Sequence, residues 1–350
     1  MLPQINVNFF EERVNAIRRG ERGVVALIVK DDTPSFTTKE YKRVDKVEST
    51  EFTAENLAYI KDVFKGKPSK VIIEVVAVEG DIQDALTRLK TKRFNYLAMP
   101  EAEALDKTAI TEFITNSNEL DNRTFKTVLA NEAADNEAII NFTTEEIVVE
   151  DKTYTSQEFT ARIAGLLAGL GLDRSATYYV LDEVESIKAI AEPDEAIENG
   201  ELILIDDGEK IKIGRAVNSL TTTTETKGES FKKIKIVEGV HLMKEDIRKT
   251  FEDYYVGKYT NDYDNKVLFT TAVNAYFRQL EKGYVLDRSY PNKSEVSLDA
   301  QIEYVESKGI LTDGMTEQAI KEYNTGANVF IKANVKFVDA MEDLEFNVYM

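Results

Sequence analysis

The 350-residue chain contains no cysteine, which excludes a disulfide framework, a thiolate nucleophile and any Cys-based metal site, and leaves the redox compartment open. Histidine is nearly absent too. The single one, His241, cannot build a His-rich metal site, and without a GxSxG elbow no catalytic triad forms around it. It follows "IVEGV", is read as preceding a helix, and takes a structural or solvated role. No stretch approaches the roughly 20 apolar residues that span a bilayer. The first residues, "MLPQINVNFFEERVNAIRRG", lack a basic start followed by an apolar run. Both absences predict a species made in the cytosol. Positive charge is in deficit, with 44 Lys and Arg against 63 Asp and Glu and a net charge of -19. That balance excludes a general affinity for nucleic acid or anionic membrane. It also makes copies of the chain repel one another unless specific contacts win.

What is present is an ordinary soluble composition, 43% hydrophobic, in a chain long enough for two or three domains. Near-continuous apolar runs of strand length alternate with amphipathic helical stretches. "VVALIVK" from Val24 precedes a helix carrying Leu57, Ile60 and Phe64; "VIIEVVAV" from Val71 precedes one carrying Ile82, Ala85, Leu86 and Leu89. "FNYLAMP" from Phe94, a helix with Ile110, Phe113 and Ile114, and "KTVLA" from Lys126 complete the series. Such runs predict a parallel sheet covered on both faces, an α/β domain over roughly 21–150.

A parallel sheet invites a nucleotide, which would sit at its strand-to-helix loops. They read Asp31-Asp32-Thr33-Pro34, Glu79-Gly80-Asp81 and Pro100-Glu101; none is a GxGxxG or a P-loop, and their carboxylates repel phosphate. Paired acids such as Asp206 and Asp207 are uninformative in so acidic a chain. Asp262-Tyr263-Asp264 fails as a calcium loop, because Lys266 takes the next ligand position and the glycine is missing. Tyr254, Tyr255, Tyr259 and Tyr263 are read as packing. Arg13, Arg18, Arg19 and Arg22 are neutralised by neighbouring glutamates. No catalytic, cofactor or metal residue is assigned.

Beyond the α/β region, Thr155 and Glu158 make a capping box ahead of an apolar stripe of Phe159, Ile163, Leu166, Leu167 and Leu170. Gly165 and Gly169 lie inside that helix, where each costs up to about 1 kcal/mol, so close approach of another backbone is expected in return. "ELILIDDGEKIKIG" from Glu201 reads as two short strands around Asp207-Gly208. Helices follow near Lys244 to Tyr255 and Asn265 to Lys282. No 20- to 50-residue repeat is found.

Both ends carry period-two alternation. Ile5, Val7 and Phe9 share one face near the start, Val329, Ile331, Ala333, Val335 and Phe337 share another, and Leu344, Phe346, Val348 and Met350 share a third at the end. Two readings of the last stretch stand. It folds back as a hairpin within its own subunit, with Asp339-Ala340-Met341-Glu342 as the loop. Alternatively, those four residues are a linker carrying an arm outward, which the absence of Gly, Asn and Pro favours.

The blocks "RGERGVVALIVKD", "FNYLAMP", "FTARIAGLLAGLGLDRSATYYVL", "GELILIDDGEKIKIGRAVNSLTT" and "FKKIKIVEGVHLMKEDIRKTFEDYYVGKYTNDYDNKVLF" resemble the tail sheath proteins of contractile bacteriophages. The likeness is greatest to the short subunits of clostridial R-type bacteriocins of the diffocin kind and of Gram-positive defective prophages. It covers essentially the whole chain and carries no catalytic signature. It implies an α/β (α+β overall) fold: a parallel α/β outer domain at 21–150, a C-terminal α+β sheath core domain at 151–338, and extended strand arms at 1–20 and 339–350. It implies a non-enzymatic subunit that stacks as hexameric rings around an inner tube and contracts to drive the tube through a target envelope. The expected partners are itself, the inner tail tube protein, and baseplate and tail terminator proteins, with no nucleic acid, membrane insertion or cofactor. Assembly would take place in the host bacterial cytoplasm, ahead of a phage tail or a released bacteriocin particle. Carried onto this chain, the arms are Ile5, Val7, Phe9 and Leu344, Phe346, Val348, and the receiving strand holds Val329, Ile331, Val335 and Phe337. Lys227, Lys232, Lys233 and Lys235 are candidates for the tube-facing surface. Pro3 is followed by Gln4 where many members have Pro-Gly, and there is little room for extra outer domains. The competing expectations are a small-molecule-binding α/β enzyme and another self-assembling tail component.

Overall fold

The computed structural model describes Ile17 and residues 22–350. The chain forms two compact units, one reaching to Glu245 and including Asp339–Met350, the other formed by Asp246–Val338. The large unit runs β1 (Val24–Lys30), β2 (Thr38–Tyr41), α1 (Ala54–Lys65), β3 (Lys70–Val76), α2 (Gln83–Lys90), β4 (Tyr96–Ala98), α3 (Ala104–Glu119), β5 (Lys126–Ala130) and β6 (Ile139–Phe142). It continues through β7 (Ile147–Val149), β8 (Lys152–Tyr154), α4 (Ser156–Gly169), α5 (Pro193–Glu198), β9 (Glu201–Leu202), β10 (Leu204–Asp206), β11 (Ile211–Ile213) and the first half of α6 (Ile234–Tyr254).

Its sheet has the strand order β2-β3-β1-β4-β5-β6-β9, parallel throughout except for β2. The register sets Val25 opposite Val71 and Ala26 opposite Ile72. Alternate residues of β1 therefore feed two separate cores. Val25, Leu27 and Val29 pack with Ile60, Val63 and the stripe of α4, while Val24, Ala26 and Ile28 pack with Ile82, Leu86, Leu89 and Ile110 on the opposite face. A strand buried on both faces must be apolar at every position, which is why "VVALIVK" shows no alternation.

Helix α4 starts as the sequence requires. Thr155 Oγ1 accepts from the Glu158 N–H at 3.2 Å, and Glu158 Oε2 accepts from the Thr155 N–H at 2.8 Å. Its glycines meet the backbone of α1: a Cβ on Gly165 would overlap the Val63 carbonyl, and one on Gly169 would overlap that of Gly66. Because α4 covers this sheet and β9 extends it, the compact unit does not end at 150 as expected but continues to Glu245. Asp207-Gly208 does turn β10 into β11, with Gly208 at φ +87.

Helix α6 starts at Ile234, ten residues before the expected Lys244, so His241 lies within the helix and not ahead of it. The β-branched "IKIV" and Gly239 disguise this first half, which packing stabilises despite weak helix propensity. The small unit continues with α7 (Tyr263–Lys282), β12 (Lys293–Val296), α8 (Leu298–Ser307), α9 (Glu317–Glu322) and β13 (Ile331–Asn334). Helix α7 is capped by Asp262, whose Oδ1 accepts from the Asn265 N–H at 2.9 Å, and it buries Phe269, Val273, Tyr276, Phe277 and Leu280. Strands β12 and β13 pair antiparallel, with Lys293 opposite Asn334 and Val296 opposite Ile331.

Candidate assembly elements

Among the described residues the β12–β13 ladder is two strands wide. Its two outer edges differ. On β12, the Asn274 side chain accepts from the Ser294 N–H at 2.7 Å and donates to the Ser294 carbonyl at 3.0 Å, so this edge is closed by a helix side chain. Those bonds also show that Ser294 points its backbone groups away from β13. In an antiparallel pair, opposed residues alternate between facing inward and outward, so Ala333, opposite Ser294, and Ile331, opposite Val296, turn their N–H and C=O groups to the outer side of β13. Among the described residues nothing pairs with them there.

The nine-residue alternation from Val329 to Phe337 does not become one strand. Only residues 331–334 form a ladder. Beyond it, the Asn292 side chain accepts from the Lys336 N–H at 3.0 Å, and the chain rejoins a partner through an isolated bridge between Leu286 and Phe337. Val329, Ile331, Val335 and Phe337 are all half-buried. Their shared face is thus incompletely covered by the described residues.

Of the terminal segments, Ile5, Val7 and Phe9 lie outside the described residues. Leu344, Phe346 and Val348 are 88%, 78% and 68% exposed and belong to no strand. The hairpin with Asp339–Glu342 as its loop is not formed. Residues 339–343 are instead tied to the large unit by charge. Glu342 Oε1 accepts from Ser175 Oγ at 3.1 Å and Thr177 Oγ1 at 2.7 Å, Arg215 pairs with Asp343, and Lys233 pairs with Asp339. Sequence reasoning missed this contact and the one made by Asn274. Acidic and basic residues are too common here for spacing to select the pairs.

Three of the four lysines proposed to face a tube are engaged: Lys227 with Glu137 at 2.7 Å, Lys232 with Glu229 at 3.0 Å, and Lys233 as above. Lys235 is half-buried, and burial holds its ammonium below the usual lysine range against the pull of Asp339 and Asp173.

The large unit also holds a buried ionic cluster. Glu238 on α6 lies 3.2 Å from the Lys126 ammonium and 3.0 Å from Arg22, and accepts from Tyr96 Oη at 2.5 Å. Burial pushes the Glu238 carboxyl up, but Lys126 and Arg22 outweigh it and hold it at about 2. His241, one turn on, is kept neutral by burial and by Lys126 beside it. The cluster fastens α6 to β4 and β5.

The crevice at the carboxyl ends of β1, β3 and β4, where ligands of parallel α/β sheets bind, is an open volume of about 920 Å³ edged by Glu55, Glu79, Asp81, Glu101 and Asp106. Glu101 is pushed up by burial and by Glu55. Asp31, at the end of β1, is spent on structure. Burial raises its carboxyl, but bonds from the Thr53 N–H, Asn56 and Thr33 hold it at about 2. Of the tyrosines near 255, Tyr255 is buried and packs against Phe251, Tyr259 and Phe269, while Tyr259 is itself exposed. Among the described residues no group of three or more His, Asp or Glu could hold a metal ion, and no helix is long and apolar enough to cross a membrane.

Comparison with known proteins gives two domain matches: the phage tail sheath protein central domain at residues 76–219 and the phage tail sheath C-terminal domain at residues 226–350. The tail sheath protein of Clostridium phage phiCD119 is 43% identical over 361 residues, which is 100% of this chain and 99% of that protein. The PBSX phage-like element protein XkdK of Bacillus subtilis is 30% identical over 179 residues, 49% of this chain and 38% of that one. Among solved structures, the sheath tail protein of Desulfitobacterium hafniense aligns with a TM-score of 0.70 at 17% identity, covering 84% of this chain and 93% of its own. The helical sheath of the anti-feeding prophage in its contracted state aligns with a TM-score of 0.70 at 12% identity, covering 100% and 99%. At such identities the likeness is one of fold.

Proposed function

The chain belongs to the phage tail sheath protein family and is a structural tail component, not an enzyme; from that premise we propose that it works as a contractile sheath subunit whose terminal segments exchange strands between copies. In this reading, copies stack as hexameric rings around an inner tube protein, bounded by baseplate and terminator proteins. Contraction drives the tube through a target envelope. Assembly takes place in the host bacterial cytoplasm, and the product is a phage tail or a bacteriocin particle. The fold shared with a contracted helical sheath and with a chain of the anti-feeding prophage baseplate is consistent with this.

The observation that carries the reading is the edge of β13 at Ile331 and Ala333, unpaired among the described residues, in a chain that also exposes the alternating segment Leu344–Met350. A free edge and a free strand-forming segment are complementary halves of β-augmentation. Leu344, Phe346 and Val348 from one copy would add to β13 of another, against the half-buried face of Val329, Ile331, Val335 and Phe337, with Ile5, Val7 and Phe9 as the second arm. Burying three such side chains contributes roughly 4 to 9 kcal/mol and some five hydrogen bonds roughly 3 to 6, while ordering six residues costs roughly 6 to 12. A single arm is marginal. Two arms per subunit, repeated through a lattice, are not.

The test is deletion of residues 343–350. The truncated chain should stay folded and fail to form sheaths by electron microscopy. Sheaths of normal length from that variant would refute strand exchange.

A further inference from the structure

Residues 339–343 are held almost wholly by polar contacts. Met341, in their middle, is 103% exposed, so no apolar burial fixes the segment. Glu342 is the anchor. Its side chain is only 6% exposed, and Arg215 Nε and Lys233 Nζ stand 3.6 and 3.7 Å from Oε2 while the two hydroxyls donate to Oε1. Thr177 Oγ1 is oriented in turn by the Ala216 N–H, which donates to it at 3.0 Å. Asp339 and Asp343, on either side, take the same two cations.

The receiving groups come from separate places in the large unit: Ser175 and Thr177 after α4, Arg215 just past β11, and Lys233 at the start of α6. Their arrangement suits one chemical class, a short acidic peptide. The fit is incomplete, because Glu342 Oε2 is buried without a hydrogen bond. A buried acceptor left without a hydrogen bond costs free energy, which weakens a hold that otherwise rests on ion pairs to Oε2 at 3.6 and 3.7 Å.

We propose that Ser175, Thr177, Arg215 and Lys233 form a releasable acidic-peptide site, occupied in cis by Asp339–Asp343, which fixes the root from which residues 344–350 project. While the site is filled, the free segment is seven residues long. Emptying it frees five more, at about 3.3 Å each, which lengthens the reach of the segment by about 16 Å. That the added reach serves subunits moving between two sheath states rests on the sheath reading. The site itself does not.

Because the chain has no cysteine, a nitroxide can be placed on Met341→Cys or Val348→Cys alone and its mobility read by electron paramagnetic resonance in dilute monomer. The label on Met341→Cys should tumble several-fold more slowly than the one on Val348→Cys at low salt. Glu342→Gln, or Arg215→Gln with Lys233→Gln, should bring the two together, and so should about 1 M salt, where the Debye length shrinks to about 3 Å. Equal mobility at both positions at low salt overturns the proposal. So does slow motion at 341 that neither substitution changes. Passing this test while forming no sheath would count against the sheath reading alone, and normal sheaths with a freely mobile label at 341 against the site alone.

Discussion

Asn274 closes the outer edge of β12 at Ser294, its amide replacing both bonds that a neighbouring strand would make, at 2.7 and 3.0 Å. A helix side chain thus protects one edge of the pair, while no described residue pairs with the other. Exposed edges are liabilities that proteins blunt, so this asymmetry is what the proposed strand exchange requires of an acceptor edge on β13. Asn274→Ala should strand the Ser294 N–H and carbonyl in a buried position and cost about 1–3 kcal/mol. Chemical denaturation of the chain would read this loss, and an unchanged midpoint would show that water replaces the amide.

At Ala333 the backbone N–H faces away from β12, so proline there removes a donor that no described residue accepts from. Proline is tolerated on such an edge. Ala333→Pro should leave the melting temperature nearly unchanged and abolish sheath formation, whereas proline at Lys332, which faces β12, should destabilise the fold. Circular dichroism and electron microscopy of the two variants separate these effects. Sheaths formed by Ala333→Pro would move the acceptor role to another edge.

How much of this the sequence discloses depends on range. Strands β1, β3, β4 and β5 and the α4 capping box were legible because their determinants are local: continuous apolar runs, and Thr155 three residues before Glu158. The early start of α6 was not, because "IKIV" has strand chemistry and is helical only through what it packs against. Nor was the end of the α/β unit, since the stripe on α4 shows that the helix is buried but not against which sheet. The alternation of Leu344, Phe346 and Val348 is visible in the sequence, while the contact of Glu342 with Thr177 spans 165 positions and leaves no periodic trace.

Gly165 offers a case in which two local effects oppose one another. Gly165→Ala gains up to about 1 kcal/mol of helix propensity, but the new Cβ overlaps the Val63 carbonyl, a backbone atom that cannot rotate aside. Forcing α1 and α4 apart costs about 1–3 kcal/mol or more, so the net effect is destabilising. Gly228, with open space around its Cβ position, is the control, and Gly228→Ala should be close to neutral. Thermal melts of the pair check the sign.

His241 gives the chain a pH dependence that can be assigned to one residue, because it is the only histidine. Burial, with Lys126 adjacent and Lys244 and Lys227 further off, holds its imidazole well below the ordinary 6.5, while Glu238 pulls the other way. In the unfolded chain the ring takes a proton near 6.5; in the folded chain it stays neutral to a much lower pH. The unfolded state therefore binds more protons below 6.5, and stability falls as pH falls through that value. Above it the full stability is present. Between pH 7.5 and about pH 5.5 the loss should be about 1 kcal/mol, in a range where ordinary carboxylates remain ionised. Urea midpoints across that interval should slope for the native chain and flatten for His241→Gln, even if the variant is less stable at every pH. A slope that survives the substitution would mean that another group, and not His241, takes up the proton on unfolding.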